Sequence, residues 1–140
     1  QRHDNAREHY LLLKDVESLP NKAEILNNLA LTYLERDSET AMQYAYQALQ
    51  LKPSSALILD TYGWILLQRQ AYDEALEALR KASVMSASDP LIRYHLGYTL
   101  HLLGRTQEAI EEVKYSVQSE KEFAEKEAAK ALLASLLTAK

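Results

Sequence analysis

The chain repeats itself. When residues 56–89 (ALILDTYGWILLQRQAYDEALEALRKASVMSASD) are laid over 90–123 (PLIRYHLGYTLHLLGRTQEAIEEVKYSVQSEKEF), Gly63 falls on Gly97, Leu66 on Leu100, Ala75 on Ala109 and Tyr62 on Leu96. The segment 23–55 joins the series with a single-residue deletion in its internal turn. Leu29 and Ala30 then match Tyr62 and Gly63, Tyr33 matches Leu66, Ala41 matches Ala75 and Ala48 matches Ala82. Self-similarity at this length constrains the fold more than composition does. One such unit cannot bury its apolar face alone, so neighbouring units must stack. Only three Gly and three Pro interrupt a chain dominated by Ala, Leu, Glu, Lys and Gln, so the stacked units are helical.

Caps mark the helix ends. Asp89 followed by Pro90 reads as an N-cap with proline at the first helical position, and Ser55 and Asp73 can cap two other helices. Pro53 stops a helix before it, and Gly104 stands where a C-terminal glycine closes one. These signals and the apolar periodicity predict helices over 5–18, 23–36, 39–51, 56–69, 73–86, 90–103, 107–118 and 123–138. The first segment, AREHYLLLKDVESLP, lies in register with the second helix of an upstream unit. It carries Glu8 and Asp15 where the repeats carry Ala41 and Ala48, so it is either a diverged half-repeat or a cap. The last segment is apolar at 124, 128, 132 and 136 and at 129, 133 and 137. That is one helix face, expected to close the open end while Glu125, Lys126 and Lys130 face water.

A 34-residue period with an apolar–small pair, a later apolar residue and then Ala resembles the tetratricopeptide repeat (TPR). GRTQEAI (104–110) and AYDEALEALRKA (71–82) carry the resemblance most specifically. It implies one all-α domain, a right-handed TPR α-solenoid of antiparallel helix pairs. The units would be an N-terminal helix or half-repeat (1–22), repeats at 23–55, 56–89 and 90–122, and a capping helix (123–140). Within each repeat the first helix (A) and the second (B) must approach closely. Ala30, Gly63 and Gly97 are the small residues expected at the crossing on A, and Ala41, Ala75 and Ala109 on B.

Trp64 does not sit where this family usually carries tryptophan. That position, four before the small residue, holds Leu26, Leu59 and Arg93. Trp64 comes one residue after Gly63, about 100° around the helix from the A–B contact. The resemblance implies that this face lines a concave groove. Its expected lining is Leu31, Trp64 and Tyr98, with Asn27, Asp60 and Tyr94 one turn before and Leu34, Leu67 and His101 one turn after; Asn28, Thr61 and His95 flank them. Tyr94, Tyr98 and His101 share one helix face, and aromatics are enriched where proteins recognise partners. Trp64 is either covered by neighbouring helices or a free anchor for a ligand.

Several chemistries find no support. The net charge of −4 and the lack of a basic run give no nucleic-acid stripe, and no apolar run is long enough to span a bilayer. Without cysteine there is no disulfide, thiolate nucleophile or zinc–thiolate site, and a Cys-free chain suits a cytosol and a periplasm equally. His95 and His101, six residues apart, do not share a helix edge as metal ligands would, and His3 and His9 add no motif. Ser83, Ser86 and Ser88 have no histidine in register. Glu111–Glu112 and Glu74–Glu77 read as solvated helix faces. No phosphate loop or nucleophile elbow occurs. The expectation is a non-enzymatic interaction module with no cofactor and no metal.

Some TPR domains hold C-terminal carboxylates through a clamp of Lys, Asn and Arg. The matching positions here are Asn27, Leu31, Thr61, Leu91 and His95, and only one residue type agrees, so that role is not carried over. The order of the stations LNNLA, LDTYGW, RYHLG and F…EA…LL is similar to the C-terminal repeats of bacterial PEP-CTERM-system TPR lipoproteins, which are associated with exopolysaccharide production. That similarity implies an excerpt of a longer solenoid, consistent with Gln1 as first residue, in a bacterial envelope; otherwise a cytoplasmic setting is expected. Two other readings stay open: a structural or self-associating solenoid with a filled groove, and a small secretion chaperone.

Overall fold

The computed structural model describes residues 4, 7, 8 and 19–139. Among them are seven α-helices and no strand: α1 (Lys22–Tyr33), α2 (Ser38–Leu51), α3 (Ala56–Gln68), α4 (Tyr72–Met85), α5 (Pro90–Leu102), α6 (Thr106–Gln118) and α7 (Lys126–Thr138). The helix expected over 5–18 falls outside the described residues except at positions 7 and 8.

The helix starts follow local chemistry. Asp37 accepts from the Thr40 amide, Ser55 from the Ile58 amide, and Asp89 from the Leu91 and Ile92 amides ahead of Pro90, so each satisfies otherwise orphaned donors. The expected cap at Asp73 is corrected. Helix α4 already begins at Tyr72, and Asp73 lies inside its first turn with Glu74, where negative charge favours the helix dipole. At their C-termini α3 and α5 end alike. The Ala71 amide bonds Leu66 O at 2.9 Å and the Arg105 amide bonds Leu100 O at 2.9 Å, each across a residue of positive φ, Gln70 or Gly104. This is a Schellman closure, which needs the left-handed conformation that Gly adopts freely.

Helices pair as α1–α2, α3–α4 and α5–α6, and each pair stacks on the next through its second helix. The pairs close on small residues. Ala30, Ala41, Ala75 and Ala109 are fully buried, and Gly63 and Gly97 face Leu79 and Val113 too closely to admit a side chain. Around them Leu26, Leu29, Ile58, Ile65, Leu79, Ile92, Leu100 and Val113 are sealed from water. Each such side chain contributes about 1.5–3 kcal/mol of burial. The position of the usual repeat tryptophan shows a substitution in kind. Arg93 lays its guanidinium over Tyr115, 4.7 Å from the ring centroid, and bonds Glu112 at 2.8 Å and the Ala87 carbonyl at 2.9 Å. Glu112 is therefore a half-buried ion-pair partner rather than the solvated carboxylate expected of it.

Helix α7 packs on α6 as α3 packs on α2 and α5 on α4, so it occupies the place of a next helix A. Ala129 and Leu136 are buried beside Val113 and Tyr94, with Phe123, Leu132 and Leu133 packed against them. The buried face is narrower than expected, since Ala124, Ala128 and Leu137 are exposed. Two of the three residues expected in water also turn elsewhere. Lys126 lies along the protein and bonds Glu122 at 3.0 Å, and Glu125 points inward to His95; Lys130 alone is solvated as expected.

Candidate functional site

The first helices of the three repeats, α1, α3 and α5, lie side by side and present one face. At its centre the only tryptophan stacks on a histidine: the Trp64 and His95 ring centroids are 4.0 Å apart with planes 20° from parallel. Tyr98 and Tyr94 surround the indole at 5.8 and 6.4 Å, and His101 meets Tyr98 edge-on at 6.3 Å. The sequence-expected residues Trp64, Tyr94, Tyr98 and His101 thus form one aromatic cluster on two successive repeats.

The nine expected groove residues divide by depth. Leu31 is exposed, and Leu34, Trp64, Tyr98 and His101 are half-buried, so these five keep surface open. Asn27, Asp60, Leu67 and Tyr94 are buried. Asp60 has a specific internal partner, His95 Nδ1 at 2.7 Å. Tyr94 packs against α7, and burial together with the nearby Glu125 charge pushes its hydroxyl above the usual tyrosine range. Asn27 keeps a buried side-chain oxygen without a hydrogen-bond partner.

Two residues central to this arrangement were not singled out in the sequence. The sequence puts His95 at a flanking position and gives it no metal or clamp role, and it leaves Glu125 in water. In the structure both His95 ring nitrogens meet carboxylates: Nδ1 faces Asp60, and Nε2 faces Glu125 at 3.2 Å. Burial pushes the imidazole towards the neutral form. The charge and hydrogen bond of Asp60, joined by those of Glu125, outweigh it and raise the pKa from 6.5 to about 9. The repeat register held one clue, because Thr61, the counterpart of His95, adjoins Asp60. The two carboxylates sit on opposite sides of the ring and do not converge on a common point. Among the described residues no group of three or more His, Asp or Glu side chains is arranged to hold a metal ion, and no helix is long and apolar enough to cross a membrane.

The model of a TPR repeat family matches residues 63–104. The fold is that of the tetratricopeptide repeat. Solved TPR-like structures superpose on nearly the whole chain. A crystal structure of MamA matches with a TM-score of 0.72 at 21% identity, over 96% of this chain and 82% of that one. The Yersinia enterocolitica type III secretion translocator chaperone SycD matches at 0.73 with 19% identity, over 86% and 87%. The first TPR of Spaghetti (RPAP3), bound to the HSP90 peptide SRMEEVD, matches at 0.74 with 14% identity, over 87% and 95%. At these identities the likeness is one of fold. In sequence, the cell division cycle protein 27 homolog A of Arabidopsis thaliana is 35% identical over 68 residues, 46% of this chain and 10% of that protein. The chain thus spans about a tenth of that relative's length.

Proposed function

We propose that this TPR solenoid is a non-catalytic interaction module that holds an apolar, non-acidic peptide segment against Leu31, Leu34, Trp64, Tyr98 and His101. The observation that carries this reading is the composition of the face. It offers exposed Leu31 and the half-buried aromatic cluster on Trp64, and none of the twelve groove positions holds Lys or Arg. A peptide carboxylate would lose its hydration there without a free cation to replace it, because the one charged ring, His95, is already engaged by Asp60 and Glu125, whereas apolar side chains gain by leaving water. A TPR neighbour was solved with SRMEEVD, a peptide rich in carboxylates; the groove described here lacks the charge for such a ligand. The setting we infer, a bacterial envelope or exopolysaccharide assembly, is supported by the order of the stations LNNLA, LDTYGW and RYHLG.

Trp64 is the sole tryptophan, so its emission reports the groove alone. Titration with an amphipathic leucine–lysine helix peptide is expected to shift and saturate that emission, and SRMEEVD is expected to leave it unchanged. Tighter binding of SRMEEVD than of the apolar peptide would overturn the reading.

A further inference from the structure

The Asp60–His95–Glu125 chain crosses three layers of the solenoid. Asp60 is on α3, His95 on α5, and Glu125 ends the turn that leads into α7. A neutral imidazole carries one N–H and one bare nitrogen, so it can donate to only one of two carboxylates and must turn a lone pair on the other. With an ionised carboxylate at 2.7 Å from Nδ1 and another at 3.2 Å from Nε2, the arrangement is satisfied by the doubly protonated ring. We propose that His95 is a structural imidazolium that ties α7 to the two repeats before it, and that loss of its proton releases the start of α7.

The two carboxylates are not equivalent. Asp60 is buried to the same depth as His95, with 5% of each side chain exposed, while the Glu125 side chain is 37% exposed. When the ring gives up a proton, the bond that breaks is therefore the longer one to Glu125, which can rehydrate in place. Asp60 keeps the remaining N–H. Tyr94 on α5 also lies beside the ring, 5.8 Å away between centroids, and its raised pKa keeps it neutral as the histidine titrates. Freed Glu125 leaves α7 held by the apolar contacts of Ala129, Leu132, Leu133 and Leu136 and by the Lys126 bond to the Ser119 carbonyl. The first turn of α7 then opens beside Tyr94, at the end of the groove. The latch stands whether or not the groove takes the peptide proposed above.

The test uses the full chain. Long-range proton–nitrogen spectra of the imidazoles should show His95 protonated on both nitrogens at neutral pH and deprotonating near pH 9. Hydrogen exchange over 126–138, corrected for the intrinsic pH dependence, should accelerate through that titration at least tenfold more than exchange over α1 and α2, which lie away from the latch. Glu125→Gln, at a half-exposed site, should fold, lower the His95 midpoint and give the fast exchange already at neutral pH. A His95 midpoint near 6.5 would overturn the proposal. So would exchange in α7 that responds neither to pH nor to Glu125→Gln.

Discussion

Gly63 and Leu79 leave no room for a methyl group between them: a β-carbon on Gly63 would stand 2.7 Å from Leu79 Cγ. At the equivalent crossing one repeat later, a β-carbon on Gly97 would stand 2.5 Å from Val113 Cγ2 and 3.2 Å from the Val113 backbone nitrogen. Alanine in place of glycine gains about 1 kcal/mol of helix propensity, and overpacking costs about 1–3 kcal/mol. Leu79 is unbranched at Cβ and can swing aside. Val113 is stiff about its first torsion, and its backbone cannot move without moving α6. Gly63→Ala is therefore expected to be destabilising but to cost less than Gly97→Ala, which should cost about 1–2 kcal/mol or more, with Gly63→Leu costing about 3 kcal/mol or more. Urea midpoints of the three variants check the order; equal values for the two alanine variants would contradict it.

Gln70 and Gly104 do the same conformational work with different side chains. Both have positive φ, 65° and 75°, and both sit in a Schellman closure. A non-glycine residue in this region costs about 1 kcal/mol. Gly104 has nothing within 4 Å of an added β-carbon, so its substitution measures backbone strain without a clash. Gly104→Ala is expected to lower stability by about 1 kcal/mol, and Gln70→Gly to raise it by about 0.5–1 kcal/mol. Thermal melts of the two variants should move in opposite directions.

These positions also show what was legible in the sequence. The period placed every crossing residue, because backbone proximity tolerates only Gly or Ala at Gly63, Gly97, Ala75 and Ala109. Gly104 announced its own turn, whereas Gln70 did so only through its register with Gly104, since glutamine carries no mark of positive φ. Arg93 broke the repeat pattern, yet the reason, its stacking on Tyr115 and bond to Glu112, needed the B helix in place. That Trp64, Tyr94, Tyr98 and His101 share one face was legible from helical periodicity. The depth of that face was not, because burial of Asn27, Asp60 and Tyr94 depends on how closely successive helices stack. The link between Asp60 and Glu125 joins residues two repeats apart through a histidine that periodicity treats as a rim position.

Stability should fall on the alkaline side. The His95 pKa is raised in the folded state, so the folded protein holds that proton more tightly than the unfolded chain does. The resulting stabilisation is complete below pH 6.5 and is lost as pH rises through about 9. At roughly 1.4 kcal/mol per pH unit the shift corresponds to about 3 kcal/mol. Asp60→Asn removes the principal partner of a buried cation and is expected to cost about 3 kcal/mol at neutral pH and to flatten the alkaline decline. Denaturant melts from pH 6.5 to 10 provide the check. A wild-type stability that holds level across this range would refute the linkage.

Groove and core can be separated by substitution because Leu31 and Trp64 differ in burial. Leu31 is 46% exposed, so Leu31→Glu should change stability by less than about 0.5 kcal/mol. Trp64 is half-buried, stacked on His95 and flanked by two tyrosines, so Trp64→Ala should cost about 3 kcal/mol. Loss of binding in Trp64→Ala alone would therefore be ambiguous between a missing contact and a loosened fold. Leu31→Glu has no such ambiguity: it adds a carboxylate to an apolar face and leaves the core intact. Binding of the leucine–lysine peptide is expected to weaken at least tenfold in Leu31→Glu if the peptide packs apolar side chains there, a loss of about 1.4 kcal/mol. Calorimetric titration of the variant, with its melting temperature measured alongside, decides the matter. Unchanged affinity in a folded Leu31→Glu protein would move the binding face away from α1.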